Sequence, residues 1–318
     1  MRSFTSLLLL IGLSTLLAGE QEDKTWERDL MAGEQAQARG DWENADRLLN
    51  KATRLARAFG EQDARVGKCL ASLGALRLAQ RRLDDAETCF RDALKIYEKE
   101  FSEKSPFTAA CLNNLGQLYQ AQAKWELAQR YYKRALDILK DSPRAAPVIA
   151  NLATVHAAQK HDDEAELLYQ KAVVLADRTY VEGHPSQFIA MSNLANFYMS
   201  RQKPEKAEPL YARAVRLRES KNGADALETA QAMHALASCL AAQKRVDAAE
   251  PIYRKLLTIC EKKLPPEHPA HIRVLEDLAG VLRRMGREAE ALPMEARAKT
   301  LKEKLQEKNP PKAPAPKG

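Results

Sequence analysis

The sequence predicts an all-α chain, a solenoid of about seven antiparallel helix hairpins, and three observations carry that prediction. Of 318 residues only 13 are Gly and 15 Pro, aromatics amount to 6%, and the good helix formers Ala, Leu, Glu, Lys, Arg and Gln dominate. A pattern of Ala, an apolar or aromatic residue four later, and a further small or apolar residue three after that recurs along the chain in seven copies, the outer ones weaker and the last keeping only Ala291 and Ala298. Its first alanine stands at 45, 86, 128, 165, 207, 249 and 291, at steps of 41, 42, 37, 42, 42 and 42 residues. Upstream of most copies lies a Leu–Gly or Leu–Ala pair, and Pro106, Pro143, Pro185 and Pro269 each precede the small residue of such a pair by ten positions. Proline tolerates the first turn of a helix, where its missing N–H would have been unsatisfied anyway.

Taken in chain order, the first hairpin is marked by Ala45, Leu49 and Ala52, and the second by Leu73-Gly74 with Ala86, Phe90 and Ala93. The third is the clearest, with Leu115-Gly116, Tyr119, Ala128, Tyr132 and Ala135. The fourth has Leu152-Ala153, Ala165, Tyr169 and Ala172, and the fifth has Leu194-Ala195, Ala207, Tyr211 and Ala214. The sixth has Leu236-Ala237, Ala249, Tyr253 and Leu256, and the seventh has Leu278-Ala279, Ala291 and Ala298. Residues at i, i+3, i+4 and i+7 share a helix face, so each copy makes two amphipathic helices. The small residues let the two backbones approach, and the aromatic ring fills the space between them. A lone hairpin cannot bury these faces, whereas stacking on its neighbours can.

Local signals place the helix ends. Ser105, Ser142, His184 and His268 precede the four prolines as N-caps, and Gly40 and Gly286 suit left-handed C-caps in the outer hairpins. The single 37-residue step predicts a shorter loop around residues 141–144. Trp42 and Trp125 share one repeat position and read as packing residues at the start of second helices, and Cys89 and Cys239 read as small core residues. Cys69 and Cys111 are equivalent, one repeat apart. Five cysteines are an odd number for an exported chain, and a Cys89–Cys111 bridge is the alternative to five free thiols. His268 and His271, three apart, read as capping and exposed residues rather than a metal pair.

The ends differ from the body. Residues 1–19 place one Arg before an apolar stretch from Leu7 to Ala18, too short to span a bilayer and shaped like a secretory signal peptide. The expectation is an exported, periplasmic or secreted protein with no transmembrane span once the signal is removed, a cytoplasmic one being the alternative. The solenoid is expected over 24–305, followed by a flexible Pro/Lys tail over 306–318. Of the net charge of +7, a net +4 falls within residues 299–318, which leaves the body nearly balanced and gives nucleic acid little to bind.

The copies resemble tetratricopeptide repeats of the 42-residue kinesin-light-chain type, whose units carry His-Pro and then Asn-Leu-Ala…Tyr motifs. Here these stand as Gly183-His184-Pro185 with Asn193-Leu194-Ala195, and as His268-Pro269 with Asp277-Leu278-Ala279. The resemblance implies a right-handed superhelix and a protein-interaction scaffold, with an extended peptide held on a concave face lined by the first helices. Carried over to this chain, that face holds Asn114, Asn151 and Asn193 just before the Leu–Gly/Ala pair, and Gln117, Thr154, Asn196 and Ser238 one residue beyond it. Ala121, Ala158, Ser200 and Ala242 keep it roomy, and His234 lies on it. A primary amide offers two donors and an acceptor and so grips a backbone without reading side chains. Basic residues reach this face mainly in the last copy, at Arg273, Arg283 and Arg284, offset in part by Glu276 and Asp277. The carboxylate clamp of some relatives is not evident.

The reading is therefore of a protein that binds a protein or peptide partner, without cofactor, metal or small-molecule substrate. No HEXXH, GxGxxG, GxSxG or GxxxxGK[ST] motif supports catalysis. The rivals are an assembly factor whose repeats stack end to end and, behind it, nucleic-acid binding through outward Lys and Arg.

Overall fold

The computed structural model describes residues 25–140 and 142–308, so the expected signal segment and residues 309–318 lie outside it. Among the described residues there are fourteen α-helices and no strand. They are α1 (25–38), α2 (Trp42–Arg57), α3 (Ala64–Ala79), α4 (Leu83–Glu100), α5 (Pro106–Ala121), α6 (Trp125–Leu139), α7 (Ala145–Ala158) and α8 (Asp162–Thr179). There follow α9 (Pro185–Ser200), α10 (Pro204–Asn222), α11 (Leu227–Ala242), α12 (Val246–Lys263), α13 (Pro269–Arg284) and α14 (Glu288–Lys308). The chain divides into two compact units, Met1–Leu168 and Tyr169–Gly318, with the boundary inside α8. Among the described residues no helix is long and apolar enough to cross a membrane.

Each unit is a stack of hairpins: α2 to α7 pack each on the next in the first unit, and α9 to α14 do so in the second. First helices of successive hairpins also touch: α3 on α5 and α5 on α7 in the first unit, α11 on α13 in the second. The seven alanines that mark the repeat, Ala45 through Ala291, are all 0% exposed. Four residues on, Leu49, Phe90, Tyr132, Tyr169, Tyr211 and Tyr253 are buried as the spacing predicts. In the seventh copy that position is Glu295, half-buried and bonded to Arg283 at 2.6 Å, which suits the polar outer face of a terminal repeat. The glycines of the early copies face these fillers directly: a Cβ on Gly33, Gly74 or Gly116 would lie 2.8 Å from Leu49, 2.6 Å from Phe90 or 2.4 Å from Tyr132.

Every hairpin turn has one residue in the left-handed region: Gly40, Arg81, Ala123, Lys160, Gln202, Lys244 and Gly286, in phase with the repeat. The residue after it donates back five positions, as in Lys124 N–H to Tyr119 O at 2.8 Å and Arg287 N–H to Leu282 O at 2.9 Å. This is the Schellman closure of a helix end. Helix starts follow the predicted caps at Ser105, which accepts from Phe107 and Thr108 N–H, and at His184 and His268, whose Nδ1 atoms accept from Ser186 and Ala270 N–H.

The fourth start differs from expectation. Ser142 accepts from Arg144 N–H in a turn that holds Pro143 outside the helix, and α7 begins at Ala145. The loop is not shorter either: α4 to α5 and α6 to α7 are both joined by five residues. The deletion comes out of the helices, since α6 has 15 residues against 18 in α4 and α7 has 14 against 16 in α5. The chain still needs a full turn to reverse, and trimming a helix end costs fewer buried contacts than tightening that reversal.

Three further expectations are revised. Trp42 is 45% exposed, because it stands at the first residue of α2, before the helix meets its partner. His271 is 1% exposed, on the inward face of α13 beside Ile272 and Val274. Cys89 is only half-buried, and all five thiols are free, so no Cys89–Cys111 bridge forms. Cys69 and Cys111 lie in the first unit's core with Tyr97, and burial pushes both thiols up to about 12. In the unfolded chain they ionise near 9.0, so between that pH and about 12 the unfolded state sheds protons that the folded state keeps, and stability falls as pH rises. Titration with Ellman's reagent at mildly alkaline pH should therefore leave Cys69 and Cys111 unmodified in the native protein and label both on adding denaturant. Fast native labelling of either would contradict their burial.

Candidate functional site

The first helices present one face in each unit, and its groups sort by what already holds them. In the first unit α1 and α3 flank a shallow, open hollow of about 280 Å³ lined by Glu34, Gln37, Ala38, Ser72 and Ala75, across which Ser72 Oγ donates to Glu34 at 2.6 Å. Further along, Asn151 of α7 donates from Nδ2 to Asn113 Oδ1 of α5 at 2.9 Å. Asn114 is half-buried and Gln117 exposed, and neither makes a side-chain hydrogen bond among the described residues. Ala110, Ala121, Pro147 and Ala158 are exposed around them, so the α5–α7 face is neutral and built of amides and small groups. Asn151 is thus not the free amide that its spacing suggested. Its partner Asn113 was missed, although an Asn-Asn step directly before Leu115 was a legible sign of it.

In the second unit Asn193 is half-buried and makes no side-chain hydrogen bond among the described residues. Two other predicted groups are turned toward their own hairpin's tyrosine. Tyr211 Oη donates to Asn196 Oδ1 at 2.6 Å, and Ser238 Oγ bonds Tyr253 Oη at 3.0 Å. Burial is the main cause that pushes the Tyr211 phenol up to about 12, which keeps it a donor across the physiological range. His234 Nε2 meets Asp277 Oδ2 at 2.7 Å, a bond from α11 to α13 with the same register as Asn113 to Asn151.

The basic residues of the last copy are mostly occupied. Arg283 is held by Glu288 and Glu295, Arg284 donates to Ala241 O at 2.9 Å, and Lys302 takes up Glu276. Arg273 is exposed and has no ion-pair partner among the described residues. It shares with His234 a cavity of about 350 Å³ between α11, α12 and α13, whose walls include Leu227, Leu256, Cys260, Leu264 and Val274 and whose rim includes Gln231 and His268. Sequence reasoning named His234 and Arg273 separately. That they meet in one cavity follows from the packing of α13 on α11.

The tetratricopeptide-repeat model matches residues 30–99, 69–141, 186–262 and 228–304, and a second model of the same description matches 148–186. The chain belongs to the tetratricopeptide-repeat family. No curated protein matches it. Among solved structures it is similar to the kinesin light chain TPR-like repeats of Podosopora anserina, with 21% identity and a TM-score of 0.57 over 64% of this chain and 98% of that one. It is also similar to the apo form of RapI, at 14% identity and TM-score 0.66 over 88% of this chain and 77% of that one. A third is the signal-transduction ATPase of Pyrococcus horikoshii with a tetratricopeptide-repeat sensor, at 15% identity and TM-score 0.64 over 90% of this chain and 43% of that one. At these identities the likeness is one of fold. Tetratricopeptide-repeat proteins are in general protein-interaction scaffolds, and a fold of this kind implies protein partners.

Proposed function

We propose that this protein is a non-enzymatic adaptor that holds an extended segment of a partner protein against its first helices. The observation that carries the reading is the neutral α5–α7 face, where the unpartnered Asn114 amide lies in the segment of α5 that also supplies Asn113, already oriented by Asn151. Paired amides held in one rotamer lose less entropy on binding than mobile ones, and they satisfy backbone N–H and C=O groups without regard to side chains. Asn193 offers the second unit an equivalent amide. The reading includes export, which rests on the signal-like residues 1–19.

The test is affinity capture of partners by the wild-type chain and by a variant with Asn114, Asn151 and Asn193 all replaced by Ala. The variant should lose the captured segment, while its unfolding free energy drops by only about 1 kcal/mol for the Asn113–Asn151 bond. Undiminished capture by the folded variant would remove the amide face from consideration. N-terminal sequencing of chain isolated from its host should show cleavage close to residue 19, and an intact Met1 would refute export.

A further inference from the structure

The cavity between α11, α12 and α13 has a chemistry that the amide face lacks. We infer that it is a binding site for a small amphiphilic acid, one carboxylate on an unbranched apolar body. Its volume, about 350 Å³, falls within the range of roughly 300–1,000 Å³ usual for small-ligand pockets. The interior is apolar: Leu256, Cys260 and Val274 are buried in the second unit's core, and Leu227 and Leu264 extend the wall outward. Burial pushes the Cys260 thiol up, so it adds an uncharged surface. Water against such a wall gives up hydrogen bonds that an alkyl chain does not need.

The rim supplies the complementary charge. Of the charged groups near it on α13, Asp277 is taken by His234 and Glu276 by Lys302, which leaves the Arg273 guanidinium without an anion among the described residues. His268 strengthens the choice. Its Nδ1 accepts the Ala270 N–H at 3.2 Å, so in the neutral ring the proton is on Nε2, which is left to donate. An exposed guanidinium, an imidazole N–H and the Gln231 amide at the mouth of an apolar hollow select an anion with an apolar body. An organic cation would meet Arg273 unfavourably, and a bare inorganic anion would leave the hollow filled with water. The inference does not depend on the amide face, whose Asn114 and Asn151 belong to the other unit.

The experiment is titration of the full chain with sodium octanoate, followed by ligand-observed NMR and calorimetry, with octan-1-ol as the uncharged analogue. Saturable octanoate binding is expected, weakened about tenfold or more in Arg273→Gln and largely kept in Arg273→Lys, because a charge-assisted contact is lost in one and a charge retained in the other. Octan-1-ol should bind more weakly and be indifferent to Arg273→Gln. Arg273 is exposed, so both variants should keep the wild-type far-UV circular dichroism. The variant with Asn114, Asn151 and Asn193 replaced should bind octanoate like wild type. Absence of saturable octanoate binding, equal affinity in Arg273→Gln, or equal binding of the alcohol would overturn the site. Tighter binding of Ala-Ala-Ala-Leu than of octanoate, lost on C-terminal amidation, would also overturn it, in favour of capture of a chain end.

Discussion

Replacing Tyr132 with alanine should lower the stability of the first unit by about 3–5 kcal/mol, the range for deleting a fully buried aromatic side chain. Tyr132 is 0% exposed and fills the space between α5 and α6, with its ring against the backbone of Gly116 and its Oη donating to Gln120 Oε1 at 3.0 Å. Two terms separate cleanly. Tyr132→Phe removes only the hydroxyl, and the half-buried Gln120 can turn to water, so a loss of about 1 kcal/mol is expected. The remainder of the alanine effect is lost packing and a residual cavity. Repeat arrays unfold in near-neighbour units, so a single two-state midpoint understates the change. Hydrogen exchange is the proper readout, with protection expected to fall first in α5 and α6. An alanine variant within about 1 kcal/mol of the phenylalanine variant would show that the hairpin collapses around the missing ring.

Gly116→Val should destabilise the same hairpin by the opposite route, with a smaller loss. A Cβ at residue 116 would lie 2.4 Å from Tyr132 Cε1 and 2.6 Å from Cδ1, well inside van der Waals contact. Overpacking of this kind costs about 1–3 kcal/mol, while leaving glycine recovers less than about 1 kcal/mol of helix propensity when the newcomer is β-branched. The clash therefore wins. Three sister hairpins pair alanine with tyrosine, at Ala153 and Tyr169, Ala195 and Tyr211, and Ala237 and Tyr253, so Gly116→Ala should be far milder than valine. In a double-mutant cycle, Gly116→Val and Tyr132→Ala should compensate, since the valine enters the hole that the ring leaves, with coupling above about 1 kcal/mol. Hydrogen exchange of α5 and α6 in the four proteins measures it, and simple additivity would mean that residue 116 and the ring do not share that space.

Much of this hairpin logic was legible in the residue order. Ala128 and Tyr132 are one helical turn apart and recur every 42 residues or so, and such a strict phase has few explanations besides stacked hairpins. The caps at Ser105, His184 and His268 could be read because they act over two or three residues. Pro143 misled because the same local signal stands beside a deletion, and where the lost residues come from is settled by packing. Five of the seven left-handed turn residues, among them Arg81 and Ala123, were also hidden. Only Gly40 and Gly286 advertise that backbone conformation in their side chains.

The functional face was legible as a list of positions but not as a set of available groups. Asn114, Asn151, Asn193, Asn196, Ser238 and His234 look alike in a repeat register. Yet Asn151, Asn196, Ser238 and His234 have already spent a hydrogen bond inside the fold, whereas Asn114, Asn193, Gln117 and Arg273 have not. Helix periodicity, small-residue spacing and caps are properties of neighbours in the chain, so the residue order alone specifies seven hairpins, their phase and the face each helix buries. Which polar groups remain unpartnered, and that His234 and Arg273 line one apolar hollow, depends on atoms some forty residues apart along α11 and α13. Hydrogen bonds and cavities form between helices only once the hairpins have stacked, and that is where the tertiary structure decides.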